Sequence, residues 1–327
     1  MNFHERVAIL WEFIKERIPI ILLGPAGSGK SYVGRLLMRR FLDEYFGGGD
    51  IVSLRDVDEL EEIQTDIKAL YVAGSANVTK LDLLGGRTLY KGNYVRRRGI
   101  LSKMVERGGI VFIDEITSLP PQFTILLNEI IDSIYRREAH PNFYIFFAGN
   151  PSTYVGANVL PDALLERLAF IWYDYYPMET EIDIVRKMLQ GKVDEEVLND
   201  PDFEVFLWYM VSLLRTIRED LKKADEEFPI SVRSMFTAIR MTLLLAKQMP
   251  LNVDEKWVHS TYVMLKKNLP PNLVDSWSDR ETRSLIEFMR RYGIGWSHIR
   301  TAVASIGIFA KVTDKTIIEN VLARIPE

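Results

Sequence analysis

The chain has 327 residues, no cysteine, four histidines and a formal net charge of −4. That length admits two or three domains with sizeable cores, the absence of cysteine excludes disulfides and thiolate-bound metal, and the near-balanced charge excludes a chain-wide nucleic-acid signature. The histidines show no metal-ligand spacing, residues 1–17 are amphipathic rather than a signal peptide, and no apolar run approaches the ~18 residues of a membrane helix, so a cytoplasmic location without membrane insertion is expected.

In chain order, Ile18-Pro19-Ile20-Ile21-Leu22-Leu23 reads as a buried strand, with Pro19 tolerable only at its start. Gly24-Pro25-Ala26-Gly27-Ser28-Gly29-Lys30-Ser31 follows and fits G-x-x-x-x-G-K-[ST]. Residues 32–42 then carry helical periodicity. Strand, glycine loop and helix form the context in which backbone N–H groups and a helix N-terminus cradle phosphates. Lys30 is expected to reach the β- and γ-phosphates of ATP and Ser31 to ligate Mg²⁺.

Further on, Lys91-Gly92-Asn93 is a turn candidate between β-prone flanks rich in Arg and Tyr. Ile110-Val111-Phe112-Ile113 predicts a buried parallel strand ending in Asp114 and Glu115, at the strand end where open α/β sheets bind ligands. Asp114 is expected to hold Mg²⁺, through water, and Glu115 to orient the attacking water. A second hairpin is expected to include Ser133-Ile134-Tyr135-Arg136-Arg137-Glu138. A third strand, Phe143–Gly149, ends in Asn150, which would contact the γ-phosphate or the water, or else begin a turn before Pro151. Leu160–Leu168 precedes one more strand, Phe170–Tyr173.

Phosphate loop, Asp-Glu strand, Asn-ended strand and Asp162-Ala163-Leu164-Leu165-Glu166-Arg167 together resemble the AAA+ ATPases of the MoxR-like branch, of the gas-vesicle N and nitric-oxide-reductase Q types. The resemblance spans roughly residues 5 to 265. It implies an α/β fold: a P-loop AAA+ parallel sheet with flanking helices, a helical lid domain and a small helical C-terminal module. It also implies a homo-oligomeric, hexameric ring that hydrolyses ATP between subunits to remodel or activate a client or adaptor protein, such as one with a von Willebrand-type domain. The alternative is a motor that touches DNA. By resemblance Asn150 is sensor 1 and Arg167 an arginine finger; otherwise Arg167 is a surface residue paired with Glu166 or Asp162. Ser231-Val232-Arg233-Ser234 resembles sensor 2, which would bring Arg233 to the γ-phosphate. The hairpins would face the ring pore and grip a polypeptide or nucleic acid, or would only pack against neighbours.

Alternation of strands and helices runs to Tyr176, giving an ATPase core over 1–176. Residues 179–190, 202–223, 231–247 and 254–267 read as helices of a lid over 177–268. Asn268-Leu269-Pro270-Pro271-Asn272 is a linker candidate. The tail, 269–327, opens a helix with a Ser278–Glu281 capping box, then a helix after Tyr292-Gly293-Ile294-Gly295-Trp296, then a third from Asp314 to Ile325. The spacing of Trp277 and Trp296 resembles a Myb/SANT three-helix module lacking its third tryptophan. Both tryptophans are expected in the core, and protein docking is favoured over DNA binding because Asp314 and Glu319 spoil the third helix as a groove reader.

Overall fold

The computed structural model describes residues 3–56, 66–75, 78, 83–90, 93–120, 122–151, 159–223, 230–306, 319 and 322–325. The chain divides into two compact units, residues 1–175 and 176–327.

The first unit runs α1 (Phe3–Lys15), β1 (Ile20–Leu23), α2 (Lys30–Phe46), β2 (Val52–Ser53), β3 (Ala69–Ala73), β4 (Gly85–Tyr90), β5 (Asn93–Arg98), α3 (Ile100–Arg107), β6 (Gly109–Asp114), α4 (Gln122–Tyr135), β7 (Phe143–Gly149), α5 (Asp162–Leu165) and β8 (Ala169–Trp172). Six strands form one parallel sheet in the order β2-β3-β6-β7-β1-β8. Strands β6 and β7 are buried along their whole length, as their unbroken apolar sequences require of central strands covered on both faces. On one face Val111, Ile113, Ile145 and Phe147 join a core with Leu101 and Met104 of α3 and Phe123, Leu127 and Ile131 of α4. On the other, Phe112 stacks on Phe146 with ring centroids 4.5 Å apart. Helix α2 lies close over this pair because residue 34 is glycine: a Cβ there would sit 2.3 Å from the Phe112 ring. That close fit fixes the helix whose first residue is Lys30.

The hairpin expected around Lys91–Asn93 is present as β4 and β5, with Tyr90 opposite Asn93, so Asn93 is a strand residue; Lys91 and Gly92 lie outside the described residues. The second expected hairpin is not formed. Residues 133–135 are the last turn of α4, and Arg136–Arg137 are a turn in which Arg137 adopts φ 59°. Buried Phe123, Leu127, Ile130, Ile131 and Ile134 set a helical period that outweighs the β propensity of the Ile-Tyr pair.

The second unit is helical among its described residues: α6 (Met178–Leu189), α7 (Glu195–Leu198), α8 (Phe203–Lys223), α9 (Val232–Gln248), α10 (Glu255–Lys267), α11 (Asp279–Arg291) and α12 (Trp296–Ser305). One apolar core extends from Ile182 to Ile325. Phe206 of α8 stacks on Phe288 of α11 at 4.9 Å, and Tyr209 meets Trp296 at 6.0 Å and Trp277 at 6.3 Å. Trp296 is buried and Trp277 half-buried. The boundary expected at 268–269 therefore falls inside a shared core. The proline-rich segment there forms a short 3₁₀ turn, Pro271–Leu273, that buries Leu273. Most of the expected third tail helix lies outside the described residues. Fully buried Glu181 accepts from Arg215 at 2.5 Å and from Arg218 at 2.9 Å, and the same two arginines donate to the carbonyls of Tyr176 and Ile230, both at 3.0 Å. Among the described residues no helix is long and apolar enough to cross a membrane.

Candidate nucleotide-binding site

The C-terminal ends of four neighbouring strands, β3, β6, β7 and β1, deliver Gly74, Asp114 with Glu115, Asn150 and the Gly24–Ser31 loop to one edge of the sheet. Parallel sheets collect ligand groups at this edge because every crossover connection starts there. The loop follows the expected path: Gly27 and Gly29 have φ of 73° and 99°, and Gly29 caps α2. Such angles favour glycine and turn successive backbone N–H groups towards one concavity.

Lys30 is 7% exposed. Its ammonium donates to the carbonyls of Gly24 at 2.8 Å and Pro25 at 2.7 Å, and to Asn150 Oδ1 at 3.2 Å. Three donors meet three acceptors, which ties the loop directly to the end of β7. Burial pushes the Lys30 pKa down to about 8, opposed by the charges of Asp114 and Glu115. Ser28 is also buried, yet its Oγ has no hydrogen-bond partner. An orphaned hydroxyl inside a glycine loop costs about 1–3 kcal/mol unless something accepts from it. A phosphate oxygen is such an acceptor, and the loop therefore fits a nucleotide.

Asp114 is 6% exposed and both its oxygens are engaged. Oδ1 accepts from the Glu115 N–H at 3.1 Å and Oδ2 from the Tyr71 hydroxyl at 3.1 Å. Glu115 is exposed and left-handed, with φ 54° and ψ 42°. A non-glycine residue there stores about 1–3 kcal/mol of strain and is often found where a side chain must be aimed. The strand neighbour accommodates this kink: a Cβ on Gly74 would lie 2.2 Å from the Glu115 carbonyl. Oxygen donors from Ser31 and Asp114 suit Mg²⁺, which takes few protein ligands and completes its shell with water and phosphate. No cluster of three or more His, Asp or Glu side chains able to hold a metal occurs among the described residues.

The two other expected residues, Arg167 and Arg233, belong to different units. Arg167 lies just beyond α5 and donates through Nε to Asp132 Oδ1 at 2.8 Å and through a terminal nitrogen to Oδ2 at 3.4 Å. Its partner is thus Asp132 of α4, not Glu166 or Asp162. The Arg167 guanidinium holds the Asp132 carboxyl below the usual carboxylate range. Arg233 belongs to the second unit, exposed in the first turn of α9, whose Ser231 cap accepts from the Ser234 N–H.

Residues 56–168 match the family model described as an AAA domain of the dynein-related subfamily. Over these residues the chain is similar to AAA domains. The matched span of the AAA domain begins after the phosphate loop and contains Asp114, Glu115, Asn150 and Arg167. Among curated proteins, the chain is similar to the gas vesicle ATPase GvpN of Haloferax mediterranei, 24% identical over 236 residues, covering 62% of this chain and 57% of that protein. It is similar to the gas vesicle ATPase GvpN1 of Halobacterium salinarum at 23% identity, with the same coverage. It is also similar to the protein CbbQ of Hydrogenophilus thermoluteolus, 27% identical over 183 residues, covering 52% of this chain and 58% of that protein. The chain thus spans a little over half the length of these relatives.

Sequence reasoning missed Tyr71, Gly74 and Asp132 of the AAA domain, and Tyr175, whose hydroxyl donates to the Ala26 carbonyl of the loop at 3.2 Å. Tyr71 carried one usable signal. In Ala-Leu-Tyr-Val-Ala it is the one polar tip in an otherwise apolar strand, and strand β3 neighbours β6.

Proposed function

We propose that the AAA domain binds and hydrolyses Mg-ATP, and that the chain works as a MoxR-like ring ATPase remodelling a client protein. The observation that carries this reading is the hydrogen bond from Lys30 to Asn150, beside a strained Glu115: loop, strand-end amide and strand-end carboxylate meet at one sheet edge. In this reading the loop amides, Ser28 and Lys30 bind the phosphates, Asn150 fixes the γ-phosphate or the water, and Glu115 orients the water for in-line attack. Mg²⁺, held by Ser31 and Asp114, would supply charge neutralisation at the phosphates. Arg167 would serve a neighbouring subunit's site as a finger, and Arg233 would act as sensor 2. The names of the similar proteins, ATPases of gas vesicles among them, support the chemistry more than they support any one client. A nucleic-acid client is the second reading. The sequence of the β4–β5 hairpin is rich in arginine, as a nucleic-acid backbone would require of a gripping element.

The test is turnover of purified full chain. Glu115→Gln should bind nucleotide normally and lose about 10²–10⁴-fold in rate, the usual worth of a positioned general base. Lys30→Ala should lose nucleotide binding. Wild-type turnover in Glu115→Gln rejects the hydrolytic assignment, and stimulation of the wild-type rate by DNA favours the second reading over a protein client.

A further inference from the structure

Asp114 is expected to hold a metal through a water seated on one carboxylate oxygen, and that water is well placed only if the oxygen is, yet a carboxylate turns easily about its last torsion. Two groups hold it. The Glu115 N–H reaches Oδ1 and the Tyr71 hydroxyl reaches Oδ2, each at 3.1 Å. A carboxylate offers about four lone-pair positions, so one on each oxygen stays open after both bonds form. Tyr71 is itself braced: its ring lies 5.8 Å from that of Phe112, and the Arg35 guanidinium sits 4.5 Å from its centroid. Arg35 is four residues after Ser31 on α2, hence on the same helix face as the other expected ligand.

We infer that Tyr71, braced by Arg35, is a positioning residue that presets the Asp114 carboxylate for a divalent cation. The inference rests on the nucleotide-site reading above. Its physical ground is that Mg²⁺ demands near-ideal octahedral geometry and tolerates little adjustment of its ligands. Partners behind a metal ligand are worth about 10–100-fold in metal affinity elsewhere. The phenol donates to Asp114 Oδ2 and so fixes the rotation of that carboxylate. Cation–π attraction from Arg35 holds the ring plane, an effect of about 0.5–1 kcal/mol at an exposed site.

The experiment uses the full chain and a fluorescent ATP analogue. Nucleotide affinity is measured in EDTA, and Mg²⁺ is then titrated at fixed nucleotide, with thermal midpoints recorded in parallel. Tyr71→Phe should keep its EDTA affinity within about twofold and raise the half-saturating Mg²⁺ concentration about 10–100-fold. Arg35→Gln should raise it less, by about two- to fivefold. A merely structural Tyr71 would lower the thermal midpoint and leave the Mg²⁺ titration where it was, and that result overturns the inference. If Tyr71→Phe does not fold, Arg35→Gln decides alone: an unshifted Mg²⁺ titration rejects the role. Failure of the wild-type chain to bind the analogue with or without Mg²⁺ would reject the nucleotide site itself, a distinguishable outcome.

Discussion

The two units bury polar groups in opposite ways. In the helical unit Glu181 is fully buried and completely answered, by Arg215, by Arg218 and through them by two backbone carbonyls. In the sheet unit the buried polar groups are left in tension. Ser28 Oγ has no partner and Lys30 sits with its pKa pushed down to about 8, while beside them the exposed Glu115 holds a left-handed backbone. A closed network specifies packing and has nothing left to offer a ligand. Groups with strain or unspent hydrogen-bonding capacity that cluster at one sheet edge are what a ligand site offers, and this supports the nucleotide-site proposal.

The largest effect should come from opening the closed network. Glu181→Ala strands two guanidinium groups in the helical core, and breaking one partner out of a buried ion network costs about 3–5 kcal/mol. The thermal unfolding midpoint should fall on the order of 10 °C, read by circular dichroism. A loss below about 1 kcal/mol would mean that water already reaches the two arginines and that the network is not closed.

Much of the open site was legible in the sequence, and almost none of the closed network was. Asp114, Glu115 and Asn150 each end or follow a strand, so local pattern places them: apolar run, then polar residue; Lys30 is placed by the glycine loop between β1 and α2. The helices expected over 179–190, 202–223, 231–247 and 254–267 match α6, α8, α9 and α10 to within a residue or so at each end, because their apolar periods are long. Pairings across the fold have no such local signature. Asp132 meets Arg167 over 35 residues, Tyr71 meets Asp114 over 43, and Glu181 meets Arg218 over 37. Tertiary packing alone decides them. The failed hairpin at Ser133–Glu138 is the reverse case, where a short β-prone string was read without the longer helical period containing it.

A smaller effect tests the tension at Lys30. Its pKa of about 8 lies below the ordinary 10.5, so between those values the native state binds fewer protons than the unfolded one. The cost of burying the ammonium is present in full below pH 8 and fades as pH rises towards 10.5. Nucleotide affinity should run the other way, since phosphate needs the charged form. The dissociation constant should be flat below about pH 8 and rise by up to about tenfold per pH unit above it. Lys30→Arg, which does not titrate in this range, should bind with no such slope. A flat wild-type profile up to about pH 9.5 would show that the ammonium is better solvated than its burial implies.

The smallest effect concerns the tail and whether it belongs to the closed region at all. Ser278 caps α11 by accepting from the Arg280 N–H at 3.1 Å, and Glu281 accepts from the Ser278 N–H at 2.9 Å. Ser278→Ala should cost about 1 kcal/mol. The informative part is how that loss is distributed. Phe288 of α11 packs on Phe206 and Phe203 of α8, and Trp296 of α12 packs on Tyr209. If those contacts make the tail part of the same cooperative core, near-ultraviolet signals from the tryptophans and far-ultraviolet helix signal should move together to a slightly lower midpoint. A Myb/SANT-like module that folds by itself would instead lose its own transition and leave the α8 signal in place. Coincident transitions in the variant and the parent would favour the shared core, because an independent tail has no physical route by which its cap could stabilise α8.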